Sequence, residues 1–267
     1  MNNLLQEKQI DAVLLNRKKR FLKKGRANSF IKKILKILKS IAPIILLVYL
    51  LFFSPLFVIS DLKTNELNYI KSKDIISEFE ILYGENFFLT DISSLRGEVI
   101  KKHPFIERVY TEKIFPNKIL INIREKEPAF VVNKEKGCFL LDRYGFVLLE
   151  EDCNFLKSNY SVKEVFGKDL NNIEFIVNAQ SSFYNAKYLY DIISVLEYYG
   201  YRVKSIESQN HMATFELHDN RFLVFSFLDD IDIQLKRLII INKKIQVEEM
   251  LFKSIDLRYQ RPVLIEE

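Results

Sequence analysis

Two Ser-x-x-Lys pairs, three histidines, two cysteines and a few adjacent acids are the residues of this 267-residue chain whose types could carry out chemistry. Ser29…Lys32 and Ser60…Lys63 have the spacing that sets a lysine one helical turn from a nucleophilic serine, as in penicillin-binding enzymes. Neither is accompanied by a Ser-Asp-Asn or Lys-Thr-Gly segment, and a chain this rich in lysine supplies such pairs by chance. His103, His211 and His218 lack the His-x-x-x-His or His-Glu-x-x-His spacing of a zinc site. His211 and His218 fall at opposite ends of one predicted strand and read as turn or surface residues. Glu150-Glu151-Asp152 and Asp229-Asp230 stand at loop starts, where carboxylates cap and solvate rather than flank a glycosidic bond. With 7 glycines and no phosphate-cradling loop, the chain reads as a non-enzyme with no cofactor, no metal and no small-molecule substrate.

Cys138 and Cys153 are the two cysteines. A hairpin turning at Asp142-Arg143-Tyr144-Gly145 places Cys138 opposite Leu149. A bridge to Cys153 then needs the second strand to bend back until the Cα atoms are within about 7 Å. The pairing is left open.

The elements that hold these residues begin with a charge asymmetry. The formal net charge is +5, yet residues 1–40 contain 12 Lys/Arg and two acids, and the remainder is net acidic. Between them Ile41–Ile59 is apolar, within a charge-free run from Ser40 to Ser60. At 1.5 Å per residue that run spans about 30 Å, the thickness of a bilayer's hydrocarbon core. A cleavable signal peptide is the main rival, but 40 residues precede the run and no A-x-A site follows. The expectation is an uncleaved helix over 41–60, with Pro43 in its first turn and Pro55 bending or ending it. Eleven Lys/Arg and no acid between Arg17 and Lys39 put the N-terminal side in the cytoplasm. Phe30–Lys39 alternates so that Lys32, Lys33, Lys36 and Lys39 oppose an apolar face, an interfacial helix whose lysines meet anionic lipid heads. Nucleic acid is not an expected partner, because no recognition fold accompanies the charge.

Beyond the span the periodicity predicts an α+β chain without repeats. Ser72–Glu80 reads as a helix capped by Ser72, and Ile92–Lys102 as a second capped by Asp91. Phe105–Lys113 and Lys118–Arg124 read as strands around Phe115-Pro116-Asn117. With the chain entering from the span, the order is β-α-α-β-β over residues 61–130. Residues 131–267 read as β-rich with two helices: Tyr184–Tyr199 closed by Gly200, and one capped by Asp229/Asp230 with Ile231, Leu235, Leu238 and Ile245 inward. Phe252–Tyr259 reads as a late strand. Pro262 just after it marks a sheet edge able to accept a strand from a partner.

Four fragments in this order resemble a known family: Gly84-Glu85-Asn86-Phe87-Phe88, His103-Pro104-Phe105-Ile106, Ile114 to Ile119, and Glu125-Lys126-Glu127-Pro128. They are similar to the POTRA domain of the bacterial cell-division proteins FtsQ/DivIB, with Lys126 standing where that family usually has Arg. Leu141-Asp142-x-x-Gly145-Phe146 resembles the opening of the family's β-domain. Ile255-Asp256-Leu257-Arg258-Tyr259 resembles its C-terminal signature, although Gln260-Arg261-Pro262 replaces the Asp/Asn-Gly turn common among relatives. The resemblance implies a single-pass inner-membrane scaffold at the division septum, its N-terminus cytoplasmic and its bulk outside. It implies recruitment by the POTRA unit and capture of FtsB/FtsL-like partners by the β-domain. Asp256, Leu257, Arg258, Tyr259 and Gln260 are the partner-binding residues so implied, with Tyr259 packed in the β-domain core as the competing role. A POTRA scaffold for export or envelope assembly is the alternative function, and a cell-wall enzyme ranks last.

Overall fold

A computed structural model describes residues 33–134 and 137–266. The basic tail up to Lys32 lies outside the described residues. The chain divides into two compact units. One holds the residues up to Leu62 with 81–91 and 113–119; the other holds 63–80, 92–112 and 120–267.

The first unit is built on helix α1, Lys33–Phe53, whose apolar stretch is not buried within the protein. It is long and apolar enough to cross a membrane. Two details differ from the sequence expectation. Lys33, Lys36 and Lys39 occupy the opening turns of this one helix, so among the described residues no separate interfacial helix precedes the span. Pro43 lies in the helix interior rather than its first turn, so its missing N–H leaves the Lys39 carbonyl without that ladder bond. The helix ends at Phe53, and Pro55–Phe57 continue as a short 3-10 turn in which Ser54 Oγ accepts from Leu56 N–H at 3.3 Å.

After α1 come strand β1 (Asp61–Thr64), helices α2 (Ser72–Glu78) and α3 (Ser93–Lys102), and strands β2 (Ile106–Ile114) and β3 (Lys118–Glu125). The β-α-α-β-β order is the expected one, and its three strands form a sheet in the order β1-β3-β2. On β3 Ile119, Ile121 and Ile123 alternate inward. The helix caps differ from expectation. The residue before α2 is Lys71, making Ser72 its first helical residue, and the N-cap of α3 is Ile92; neither position supplies a side-chain cap bond.

Strand β4, Pro128–Lys134, opens a nine-stranded sheet. The expected limit at residue 130 therefore falls inside a strand. The sheet continues with β5 (Gly137–Asp142), β6 (Val147–Glu151), β7 (Lys163–Phe166), β8 (Val203–Gln209), β9 (Met212–Leu217), β10 (Phe222–Ser226), β11 (Phe252–Asp256) and β12 (Val263–Glu266). Their spatial order is β12-β11-β10-β9-β8-β7-β4-β5-β6. The pairs β4–β7, β7–β8 and β10–β11 are parallel, and parallel neighbours need long crossovers. Helix α5 (Ala186–Tyr198) lies in the β7–β8 crossover and α6 (Ile231–Glu248) in the β10–β11 crossover. These are the two expected helices. A third, α4 (Cys153–Asn159), adds a short turn that apolar periodicity does not announce.

On α5 Leu189, Ile192, Ile193 and Leu196 repeat at helical spacing and are buried. Tyr201 N–H donates to the Leu196 carbonyl (2.9 Å) around Gly200, whose φ of +84° closes the helix. Asp230 caps α6 by accepting from Asp232 N–H at 2.8 Å and Ile233 N–H at 3.3 Å. The main core packs both helices on one sheet face through Phe130, Phe215, Phe225 and Ile255. Val131, Cys138, Leu140 and Leu148 form a second cluster with Leu156 of α4. Strands β4 and β5 are thus covered on both faces, which is why they read as unbroken apolar runs.

Cys138 and Cys153 form a disulfide with Cα atoms 5.1 Å apart. The hairpin register decides this. Asp142 Oδ1 accepts from Tyr144 N–H (2.8 Å) and Phe146 N–H (2.9 Å), and Gly145 takes a φ of +84°. The first strand pair beyond this turn is Leu141–Val147, and a bulge between Leu140 and Leu141 shifts the register again. Cys138 consequently faces Glu151 instead of Leu149. Asp152 then caps α4, which turns the chain back at Cys153.

Candidate functional site

The residues singled out near the C-terminus gather where the sheet ends. β11 pairs with β10 on one side and antiparallel with β12 on the other, so β12 is the terminal strand and β11 is internal. Ser254 faces Ile265, Ile255 faces Leu264 and Asp256 faces Val263. Along β12, Leu264 packs against the main core while Val263 and Ile265 remain 48% and 53% exposed. Pro262 precedes the strand, where its missing N–H removes no ladder bond.

The connection from β11 to β12 holds the five residues read as a binding motif. Asp256 ends β11. The expected strand through Tyr259 stops there, because Leu257–Gln260 leave the ladder. Leu257 donates its N–H to the Val224 carbonyl at 2.9 Å and its side chain is fully buried. Direct contact between that side chain and a partner is therefore excluded; Leu257 is a core residue. Arg258 folds back on Asp256, with Nε 2.9 Å from Oδ1 and Nη2 2.5 Å from Oδ2. Burial pushes the Asp256 carboxyl upward, but hydrogen bonds from Arg258 and its charge outweigh it and hold the group below its ordinary value. The same pairing raises Arg258. Tyr259 is 54% exposed, which overturns the core alternative, and the Arg258 guanidinium stands 5.5 Å from its ring centre. Gln260 is exposed.

One residue of this site is not visible in the sequence motif. Arg237 of α6 donates from Nη1 to the Leu257 carbonyl (3.3 Å) and the Tyr259 carbonyl (2.9 Å). Two satisfied carbonyls fix the turn that presents Tyr259. α6 is itself fixed by buried polar side chains on its inner face. Gln234 exchanges hydrogen bonds with the Ser226 backbone at 2.8 and 2.7 Å, and Asn242 accepts from the Tyr201 hydroxyl at 2.8 Å. The histidines do not converge on this site. His103 ends α3 beside Glu78 at 3.7 Å, His211 sits in the β8–β9 turn, and His218 follows β9.

Residues 57–126 match the family described as POTRA domain, FtsQ-type. Over 113 residues the chain is 28% identical to Cell division protein DivIB of Clostridium tetani, a match covering 42% of each chain. It is 31% identical over 81 residues to Cell division protein DivIB of Clostridium acetobutylicum, covering 30% of this chain and 32% of the relative. It is 30% identical over 77 residues to Cell division protein FtsQ of Geotalea daltonii, covering 29% and 28%. Residues 57–126 are thus an FtsQ-type POTRA domain, and the chain is similar to cell division proteins named DivIB and FtsQ. Each match spans less than half the length of the relative concerned.

The structure gives the FtsQ-type motifs physical roles. Glu125 places its carboxylate against three consecutive backbone N–H groups, Asn68 at 2.6 Å and Tyr69 and Ile70 at 2.9 Å, tying down the segment between β1 and α2. Lys126 donates to the Pro104 carbonyl at 3.0 Å and stands 3.2 Å from the centre of the Phe146 ring. Burial lowers its pKa, against the opposing charges of Asp142 and Glu107. A lysine in place of arginine thus makes one carbonyl bond and one ring contact, without a guanidinium's planar fork.

Proposed function

We propose that this FtsQ/DivIB relative is a non-catalytic, single-pass scaffold of the bacterial division complex that captures FtsB/FtsL-like partners along β12 and the Tyr259 turn. The observation that carries this reading is the state of β12. It is the terminal strand of a nine-stranded sheet, its outer backbone edge has no strand neighbour among the described residues, and Val263 and Ile265 are exposed on it. Such an edge accepts an added strand, with main-chain bonds for affinity and side-chain pockets for register. Tyr259, an aromatic anchor held by Arg237, stands beside it, and Asp256, Arg258 and Gln260 complete the rim.

Two further points support the cellular setting. The excess of Lys/Arg up to Lys39 favours an N-terminus in the cytoplasm. A Cys138–Cys153 disulfide belongs in an oxidising compartment, which favours an extracytoplasmic position for the region after α1. Lys33, Lys36 and Lys39 in the opening turns of α1 then meet the anionic inner leaflet. The relatives are named cell division proteins, which supports a scaffold working at the division septum.

The test is site-specific photo-crosslinking in dividing cells. A crosslinker at Val263 or Ile265 is expected to trap an FtsB-like membrane protein, and one at Glu150 on the opposite sheet edge is not. Equal yields at both edges would reject β12 as the docking strand.

A further inference from the structure

The end of α1 is built into a folded surface. The last carbonyls of a helix lack intrahelical partners, and Asn86 takes two of them. Its Nδ2 donates to the Leu51 carbonyl at 3.1 Å and the Phe52 carbonyl at 3.0 Å. Its Oδ1 accepts from Phe88 N–H at 2.8 Å and Leu89 N–H at 3.2 Å. The chain leaving the helix pairs with the same loop: Phe87 N–H donates to the Phe57 carbonyl at 2.8 Å, and Ile59 N–H to the Glu85 carbonyl at 2.9 Å. Lys113 gives its ammonium to the Phe87 and Thr90 carbonyls, both at 2.7 Å. A second loop joins this assembly where Ser60 N–H donates to the Asn117 carbonyl at 3.1 Å. Two loop tips, 86–90 and 114–117, are thereby fixed at the C-terminal end of α1.

These tips are apolar outward. Leu56 is 69% exposed, Phe88 46%, Leu89 64% and Phe115 66%. Rings of Phe57, Phe87, Phe88 and Phe115 touch in series with centroids 5.2 to 6.3 Å apart. No charged residue occurs in 53–60, 86–90 or 114–117. A contiguous exposed apolar surface of this kind marks an interaction site rather than scattered surface hydrophobes.

The length of α1 identifies what covers it. The charge-free part of the helix, Ser40–Phe53, is 14 residues, or about 21 Å at 1.5 Å per residue. A hydrocarbon core of about 30 Å is thicker than that, and a short span draws its flanking residues into the boundary region. The flanking residues on the C-terminal side are Leu56 and the two tips. The carbonyls of Leu51, Phe52, Phe87 and Thr90 are already bonded within the protein, so inserting this surface into lipid leaves none of them unsatisfied.

We propose that the two tips are a second membrane contact, with Leu56, Phe88, Leu89 and Phe115 seated in the headgroup–acyl boundary of the leaflet at which α1 ends. The proposal rests on α1 being a bilayer span and is independent of which partner binds β12. Interfacial elements of this composition enter about 5–10 Å into the boundary.

The chain has no tryptophan, so a single introduced indole reports alone. The full chain is reconstituted in phosphatidylethanolamine–phosphatidylglycerol vesicles with acyl chains brominated either near the headgroup or near the methyl end. Phe115→Trp and Leu89→Trp are compared with Tyr198→Trp, which is 84% exposed on α5, and with Phe53→Trp on the span. At least one tip reporter is expected to emit in the blue and to be quenched several-fold more than Tyr198→Trp, most strongly by shallow bromine. Quenching of both tip reporters no greater than that of Tyr198→Trp overturns the proposal. Blue emission that bromine does not quench overturns it too, because a second copy of the chain then covers the tips. Failure of the full chain to float with the vesicles removes α1 as a span, and the proposal falls with it.

Discussion

The nine-stranded sheet has two edges that the protein treats in opposite ways. At β6 the chain returns alongside, with Val147 N–H donating to the Ala179 carbonyl at 3.0 Å and Asn178 N–H to the Val147 carbonyl at 2.9 Å. The far end of β6 carries exposed Glu150 and Glu151, and the Cys138–Cys153 bridge fastens the chain that follows. Charge and covering segments are the usual means of blunting an edge. Among the described residues β12 has no covering segment, its outward residues are Val263 and Ile265, and its one charge is Glu266 at the end of the strand. Where one edge of a sheet is protected and the other is bare, the bare one is the place to seek a partner strand.

The largest way to break this contrast is to release the protected edge. Replacing both Cys138 and Cys153 by Ser is expected to cost about 3 kcal/mol for a closed loop of this size in the chain-entropy model. Urea unfolding of the full chain in detergent measures the loss, while partner capture in the absence of urea stays intact. At the bare edge, Tyr259→Ala is expected to weaken capture by about 2 kcal/mol, roughly thirtyfold in Kd. Circular dichroism stays unchanged because the ring is exposed; a lost fold would return Tyr259 to the core. Ile265→Lys adds a charge to the edge itself and is expected to cost about 1 kcal/mol of capture, roughly fivefold. The same assay, run against Glu150→Lys as a control at the other edge, checks it. The smallest effect concerns acid. Asp256 is held below its ordinary value, so its contribution is present at neutral pH and is lost as pH falls below about 4 through the folded value. This partly exposed pair is worth at most about 1 kcal/mol. Asp256→Asn is expected to flatten the acid limb of a stability–pH curve, and an unchanged limb would remove Arg258–Asp256 as its source.

Much of this architecture was legible because local chemistry set it. The α5 stripe, the Gly200 stop, the Asp230 cap and the Asp142–Gly145 turn each lie within a few residues of the feature they control. The disulfide was not legible, because it depends on a bulge at Leu140/Leu141 that moves Cys138 from Leu149 to Glu151. A bulge leaves no fixed residue pattern, so counting back from the turn missed it. Leu257, expected among the partner-binding residues, is a core residue for a similar reason. β11 ends at Asp256, and alternation beyond a strand's end carries no information about burial. Arg237 was hidden by distance, since its carbonyl partners on the C-terminal turn lie 20 and 22 residues away in sequence. The POTRA motifs could be matched by their residues, but Glu125's hold on three amides needed the fold.

Asn86 also has a mechanical meaning. A transmembrane helix joined through a slack linker can spin about its long axis, so no face of it has a lasting identity. α1 is gripped by its final carbonyls, and its azimuth is therefore locked to the loops it carries. Each residue of an α-helix advances about 100°. One residue inserted between Ser40 and Leu50 would swing the basic end of α1 by that angle while the gripped end stayed in register. Any neighbour in the bilayer that reads one stripe of this helix reads a stripe set by Asn86 and the loop pairing at its far end.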